Sequence, residues 1–179
     1  MSRKLPSKIR YVPWSTIQET INKLAKCVFA SFRPDVIVAI AKGGLIPARI
    51  LSDLLGVDEI GVIEAKFYMG IDYRRDKPFI KSIAIPPIKN KRVLVVDDVS
   101  DTGRTLQLVT DTLALHAPQA LKSLTLYVKP WSTYTPDYFY AVTDEWIVFP
   151  WEVCEALREG VALNDPEFKA TSEYCYSGS

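Results

Sequence analysis

The sequence predicts an α/β fold, a doubly wound and mainly parallel sheet flanked by helices. Three observations predict it. Short apolar runs rich in β-branched residues recur along the chain, helical stretches alternate with them, and two of the runs end abruptly in glycines or acids. In a sheet of this kind, ligands sit beyond the carboxyl ends of the strands.

The elements follow in order. Ser15-Thr16-Ile17-Gln18 fits a capping box, and Ile17, Ile21, Leu24 and Val28 then recur at helical spacing, so a first helix is expected to run to about Ala30. Val36 to Ala41 reads as a strand buried on both faces, broken by Lys42-Gly43-Gly44. Leu45 to Leu55 reads as a helix, with Pro47 in its first turn and Gly56 as its stop. Ile60 to Phe67 and Phe79 to Ile85 are strand-like, joined by the polar, basic stretch Tyr68 to Pro78. Arg92 to Val96 is the next buried strand, Gly103 to Leu115 a helix, and Leu121 to Val128 another strand. Tyr138 to Val142 and Trp146 to Phe149 are short late strands, and the last fifteen or so residues are expected to form a tail without clear order.

Composition narrows the function. A chain of 179 residues fits a single domain, here 1–179, large enough to bury roughly two-thirds of its unfolded surface. With 22 Lys and Arg against 21 Asp and Glu the net charge is +1, so no global field draws nucleic acid or a membrane, and any anion site must be local. The opening MSRKLPSKIRYVPW has basic residues with no apolar run behind them, and no later run approaches the ~20 residues that span a bilayer. A cytoplasmic protein is expected. Cys27, Cys154 and Cys175 are odd in number and contain no C-x-x-C pair, which argues against a disulfide framework or a zinc site.

The stretch VLVVDDVSDTGRT, residues 93–105, carries the chemistry. Asp97 and Asp98 place two like charges at the end of a buried run, which is unfavourable unless a ligand's hydroxyls or a metal's water shell shares the site. Behind them, Ser100-Asp101-Thr102-Gly103-Arg104-Thr105 offers backbone N–H groups, small hydroxyls and a glycine at a helix start, a cradle for phosphate. An acid pair for a diol beside a phosphate cradle suits a ribose 5-phosphate. Taken singly, the acids also fit a solvated turn and Thr-Gly a helix cap. A receiver domain carries paired aspartates too, but after its first strand, whereas this pair lies past the middle of the chain.

VLVVDDVSDTGRT closely resembles the 5-phosphoribosyl-1-pyrophosphate (PRPP) signature of the type I phosphoribosyltransferases, and the resemblance extends from about Val36 to Glu152. It implies that family's fold, with a small C-terminal hood to which roughly residues 129–160 contribute the base-binding part. VAIAKGGLIPA resembles the family's pyrophosphate loop, in which Ala41, Lys42 and Gly43 would meet the pyrophosphate and a non-proline cis peptide would fall at Ala41-Lys42. Lys129-Pro130, Asp137-Tyr138-Phe139-Tyr140 and Trp146 to Glu152 resemble the C-terminal part of xanthine-guanine phosphoribosyltransferases.

By that resemblance Lys129 would donate to the 6-oxygen of a purine, Trp146 would stack on its ring, and the backbone at Ile147 would read its 2-position edge. An ammonium suits a carbonyl oxygen and leaves adenine's amino donor unmatched. Alone, Trp146 reads as core and Lys129 as a snorkelling strand-end lysine. The implied reaction joins PRPP and a 6-oxopurine base to give a nucleoside monophosphate and pyrophosphate. Asp97 and Asp98 would hold the ribose hydroxyls and, through water, Mg²⁺; Asp101 would be the general base near N7; Ser100, Thr102, Gly103, Arg104 and Thr105 would bind the 5′-phosphate. Lys66, in IEAKFY, resembles a pyrophosphate-contacting lysine, and Tyr68 to Pro78, with Arg74, Arg75 and Lys77, is expected to close over bound PRPP. The resemblance also implies a homo-oligomer, dimer or tetramer. Two other readings share the pocket: a PRPP-binding regulator without catalysis, against which the presence of Asp101 and Lys129 argues, and transfer to another nucleobase.

Overall fold

The computed structural model describes residue 6 and residues 8–67 and 77–176. The chain divides into two compact units, one of residues 1–19 with 144–179 and the other of residues 20–143, so the boundary falls inside the stretch expected as a hood.

In the larger unit the strands are β2 (Val36–Ala41), β3 (Ile60–Phe67), β4 (Pro78–Ala84), β5 (Arg92–Ser100), β6 (Ala120–Val128) and β7 (Tyr138–Val142), in the order β4-β3-β2-β5-β6-β7. All pairings are parallel except β3 with β4, which closes one edge antiparallel. Two crossovers leave the centre in opposite directions: helix α2 (Leu45–Leu55) carries β2 to β3, and α3 (Arg104–Ala114) carries β5 to β6. Because parallel crossovers are right-handed, helices that lead opposite ways lie on opposite faces of the sheet. The doubly wound sheet follows.

The period-2 pattern of strands explains the core. Val36, Val38 and Ile40 of β2 and Val93 and Val95 of β5 share a face with Leu106, Val109 and Leu113 of α3, all buried. Burying each such side chain contributes about 1.5–3 kcal/mol. Gly56 ends α2 in the left-handed region at φ 64°, donating back to Asp53 and Ser52 carbonyls.

In the smaller unit β1 (Ile9–Tyr11) pairs in parallel with β8 (Trp146–Val148), and a 3-10 turn at Pro150–Glu152 leads into α4 (Val153–Arg158) and α5 (Pro166–Ser172). Val148, Val153, Ala156, Val161 and Phe168 form its core. Helix α1 (Trp14–Ser31) opens in this unit and ends in the larger one.

Four expectations need correction. Helix α1 begins at Trp14, so Ser15 sits inside the first turn; the Trp14 N–H is instead taken by Glu167 Oε1 at 3.1 Å, an acceptor 153 positions away. The tail carries a helix, α5. Asp165 caps α5 by accepting from the N–H groups of Glu167 and Phe168 at 2.9 and 3.0 Å, with Pro166 in the first turn. A disulfide joins Cys154 to Cys175, leaving Cys27 exposed and free, because α4 and α5 bring two Cα atoms 21 residues apart in sequence within 5.3 Å. Finally, β5 continues past Val96 to Ser100, since β6 stays beside it: Asp97 pairs with Thr125 and Ser100 with Val128. Among the described residues no helix is long and apolar enough to cross a membrane.

Asp35 fastens the entrance of β2 to β5, accepting from Arg92 Nη2 at 2.6 Å, Nε at 3.0 Å and the Arg92 backbone N–H at 2.8 Å. These bonds, the guanidinium first, hold its carboxyl at about 2, below the ordinary 3.8. A lowered carboxyl contributes stability above its unfolded value and loses it as pH falls through the folded one. The pair is over a third exposed, so solvent screening limits it to about 0.5–1 kcal/mol. Asp35→Asn is therefore expected to melt slightly below the unmodified protein at pH 7, with the difference vanishing between about pH 4 and pH 2 in thermal melts.

Candidate active site

β2 and β5 are neighbours, and their carboxyl ends lie at the point where the sheet's strand order reverses, the usual ligand position in such a sheet. The loop after β2 packs directly against the end of β5. A Cβ on Gly43 would collide with the Asp98 carboxyl, and one on Gly44 with the Val96 carbonyl oxygen. Only a residue without a side chain lets the loop approach the strand this closely. The peptide bond at Ala41-Lys42 is cis. Ala41 is half-buried and Lys42 exposed.

Consecutive strand residues face opposite sides, and this divides the acid pair. Asp98 is 5% exposed, and its carboxyl lies against Gly43. Asp97 is half-buried; its Oδ1 accepts the Asp98 backbone N–H at 3.0 Å, and it lines a cavity of about 100 Å³ with Asp101, Thr102, Gly103 and Thr105. One acid thus faces the loop after β2 and the other the loop after β5.

That second loop reverses the chain at Gly103, whose φ of 79° is the left-handed region, and α3 starts at the next residue. The first N–H groups of an eleven-residue helix therefore open toward the cavity, a favourable place for an anion. Arg104 is exposed.

The segment after β6 is clamped on this turn. The Lys129 N–H donates to Ser100 O at 2.9 Å, and the Thr133 N–H and hydroxyl both donate to Thr102 O at 3.1 and 2.9 Å. The Ser132 and Ser100 hydroxyls both reach Tyr134 O, at 2.9 and 3.2 Å, and are hydrogen-bonded to each other at 2.9 Å. Ser100 is buried, its side chain spent on this clamp. The clamp brings Lys129, 7% exposed, into the neighbourhood of Asp101 through Trp131: the indole Nε1–H donates to Asp101 Oδ1 at 2.9 Å, and the Lys129 Nζ lies 5.8 Å from the centre of the Trp131 rings. Sequence reasoning reached Asp101 and Lys129 but missed Trp131, Ser132 and Thr133. The signal available was the hydroxyl-rich run directly after Lys129-Pro130, a composition that serves to bond loop backbone.

The other expected residues lie on other elements. Lys66 is exposed on β3 with its Nζ 3.4 Å from Glu64, which Lys81 also contacts at 2.9 Å. The Lys81 hydrogen bond, then Lys66, holds the Glu64 carboxyl below its usual range. Trp146 and Ile147 belong to β8 of the smaller unit, where Ile147 is buried and Trp146 packs on that unit's core. Arg74 and Arg75 lie outside the described residues, as does most of the stretch expected to close over the site; Lys77 is exposed. Among the described residues no group of three or more His, Cys, Asp or Glu is placed to hold a metal.

A family model described as the phosphoribosyl transferase domain matches residues 13–157. The chain is 30% identical over 145 residues to a xanthine-guanine phosphoribosyltransferase of Idiomarina loihiensis, covering 80% of this chain and 86% of that protein. It is likewise 30% identical over 156 residues to a protein of the same name from Gluconobacter oxydans, covering 84% and 90%. Among solved structures, a purine phosphoribosyltransferase from Pyrococcus horikoshii matches with a TM-score of 0.73 and 42% identity, over 79% of this chain and 92% of that one.

Gly103 gives this geometry a direct check. A Cβ there would lie 2.5–2.8 Å from Tyr134 and Ser132 atoms of the clamp, and φ 79° disfavours any L side chain. Gly103→Ala is expected to cost about 2–3 kcal/mol, read as a fall in melting temperature of about 4–10 °C.

Proposed function

Because the chain belongs to the phosphoribosyl transferase domain family, we propose that it transfers the 5-phosphoribosyl group of PRPP to N9 of a 6-oxopurine, releasing pyrophosphate. The observation that carries this reading is the convergence at one crevice of Gly43, the two acids and the opening of α3. It offers an amide-rich loop for pyrophosphate, carboxylates for ribose hydroxyls and a helix start for the 5′-phosphate. The relatives named for xanthine and guanine support the acceptor. So does Lys129 at the end of β6, whose ammonium is a donor that suits O6 of a 6-oxopurine and not the amino group of adenine.

In this reading the bond from C1 to the pyrophosphate oxygen breaks as the bond from C1 to N9 forms, through a transition state with oxocarbenium character. Asp101 accepts the proton that the purine sheds at N7, with its negative charge kept at the reacting edge of the base. Thr102, Gly103, Arg104 and Thr105 hold the 5′-phosphate, Ala41, Lys42 and Gly43 the pyrophosphate, and Asp97 and Asp98 the ribose diol. Two carboxylates with no larger acidic cluster among the described residues fit Mg²⁺, which takes one or two carboxylates and completes its shell with phosphate oxygens and water. Asp97 and Asp98 would hold it through water, and it would supply positive charge beside the pyrophosphate. Lys66, Trp146 and Ile147 enter the proposal only as the resemblance implies them, as does the homo-oligomer, while the single domain over 1–179 rests on chain length.

The test is turnover. Incubation with PRPP, Mg²⁺ and one nucleobase at a time should yield nucleoside monophosphate from guanine, xanthine or hypoxanthine and little from adenine. Asp101→Asn should lower kcat by roughly 10²–10⁴. Equal use of adenine would refute the acceptor assignment, and full activity of Asp101→Asn would remove the assigned base. PRPP binding without turnover would favour a regulator.

A further inference from the structure

A purine carries N7 and O6 side by side on one edge. If Asp101 serves N7 and Lys129 serves O6, as proposed above and as this inference requires, the two side chains must be held at a fixed spacing. Asp101 is exposed and sits on a turn, so its own χ angles leave the carboxylate free to rotate. Lys129 ends in a flexible stem. One side chain touches both. The Trp131 Nε1–H fixes Asp101 Oδ1 at 2.9 Å, while the Lys129 ammonium lies 5.8 Å from the centre of the same rings, within range of a cation–π attraction.

Trp131 is well suited to this. It is 55% exposed, so core packing does not account for its place. Its backbone does not wander, because the residues on either side are bonded to the phosphate turn: Lys129 to Ser100, Ser132 to Ser100, and Thr133 twice to Thr102. The indole is a rigid arm rooted in the loop that it steadies. Its hydrogen bond also leaves Oδ2 of Asp101 available for the purine, since a carboxylate accepts on both oxygens.

We infer that Trp131 is a positioning residue for nucleobase reading: its N–H orients the Asp101 carboxylate and its ring anchors Lys129, setting the spacing that matches the N7 and O6 edge. It touches no reacting atom. The arrangement parallels the general pattern in which a catalytic base is itself oriented by a third group.

The experiment is a double-mutant cycle in the full chain, with Trp131→Phe, Asp101→Asn and the combined variant assayed with guanine at saturating PRPP and Mg²⁺. Trp131→Phe keeps the ring and removes the donor; it should lower kcat about five- to twentyfold, the range of one charge-assisted hydrogen bond at a partly exposed site. PRPP affinity and melting temperature should stay as they are. In the Asp101→Asn background the same change should do almost nothing, because no carboxylate remains to orient. Trp131→His, whose Nε2–H occupies the same place in its five-membered ring, should recover much of the loss and serves if the Phe variant does not fold. Trp131→Phe with undiminished kcat, or losses that multiply across the cycle, would overturn the inference while leaving the proposed function standing. An unmodified protein without turnover on any base would overturn both.

Discussion

Val36 to Ala39 lie beside Val93 to Val96 in parallel register, and the crevice depends on that pairing. It aligns the carboxyl ends of β2 and β5, from which the chain leaves in opposite directions, so the loops that follow diverge over opposite faces of the sheet with a cleft between them. Buried valines and isoleucines on both faces of the two strands make the register costly to slip, since a shift of one residue would exchange the sides on which all of them pack. The division of Asp97 from Asp98 is a consequence of the same register. Had the acids been on a loop, their repulsion would have driven them apart into solvent; carried on a paired strand, they are held beside a glycine loop on one side and a phosphate-sized cavity on the other.

Concentrating anions and cations in so small a volume needs supports that do not move. The clamp from Lys129 to Tyr134 supplies one, by giving the carbonyl groups of Ser100 and Thr102 their hydrogen-bond donors. Carbonyls satisfied from behind leave the N–H side of the turn, with its partial positive charge, for a ligand. Gly103 sits at the centre of this arrangement because the clamp passes where a side chain would be.

How much of this was legible in the sequence depended on the range of the interactions involved. Val36 to Ala41 and Leu45 to Leu55 came out with their observed ends because their signals are local: a β-branched run, glycines, a proline in the first turn. The apolar pattern of β5 reaches only Val96, four residues short of the strand's end, since what extends it is not its own composition but β6 lying alongside. The start of α1 failed for the same reason, Glu167 being a distant acceptor. α5 was different: Asp165-Pro166 is a local start signal that stood in the sequence unread. β1, with three residues, exists only because β8 offers an edge. At the site, the motif from 93 to 105 announced itself through its chemistry, whereas Trp131 could not, because its partner Asp101 lies 30 positions away and a lone tryptophan after a proline carries no sign of what it will bond.

The central claim is that a single crevice, at the reversal of strand order, holds a ribose phosphate with its terminal anion on the opening of α3. A crystal structure of the protein with guanosine monophosphate bound tests it most directly. The account predicts the phosphate within hydrogen-bond distance of the backbone N–H groups of Thr102 to Thr105 and the ribose hydroxyls facing Asp97 or Asp98. A nucleotide ordered elsewhere on the protein, with that turn empty, would contradict it.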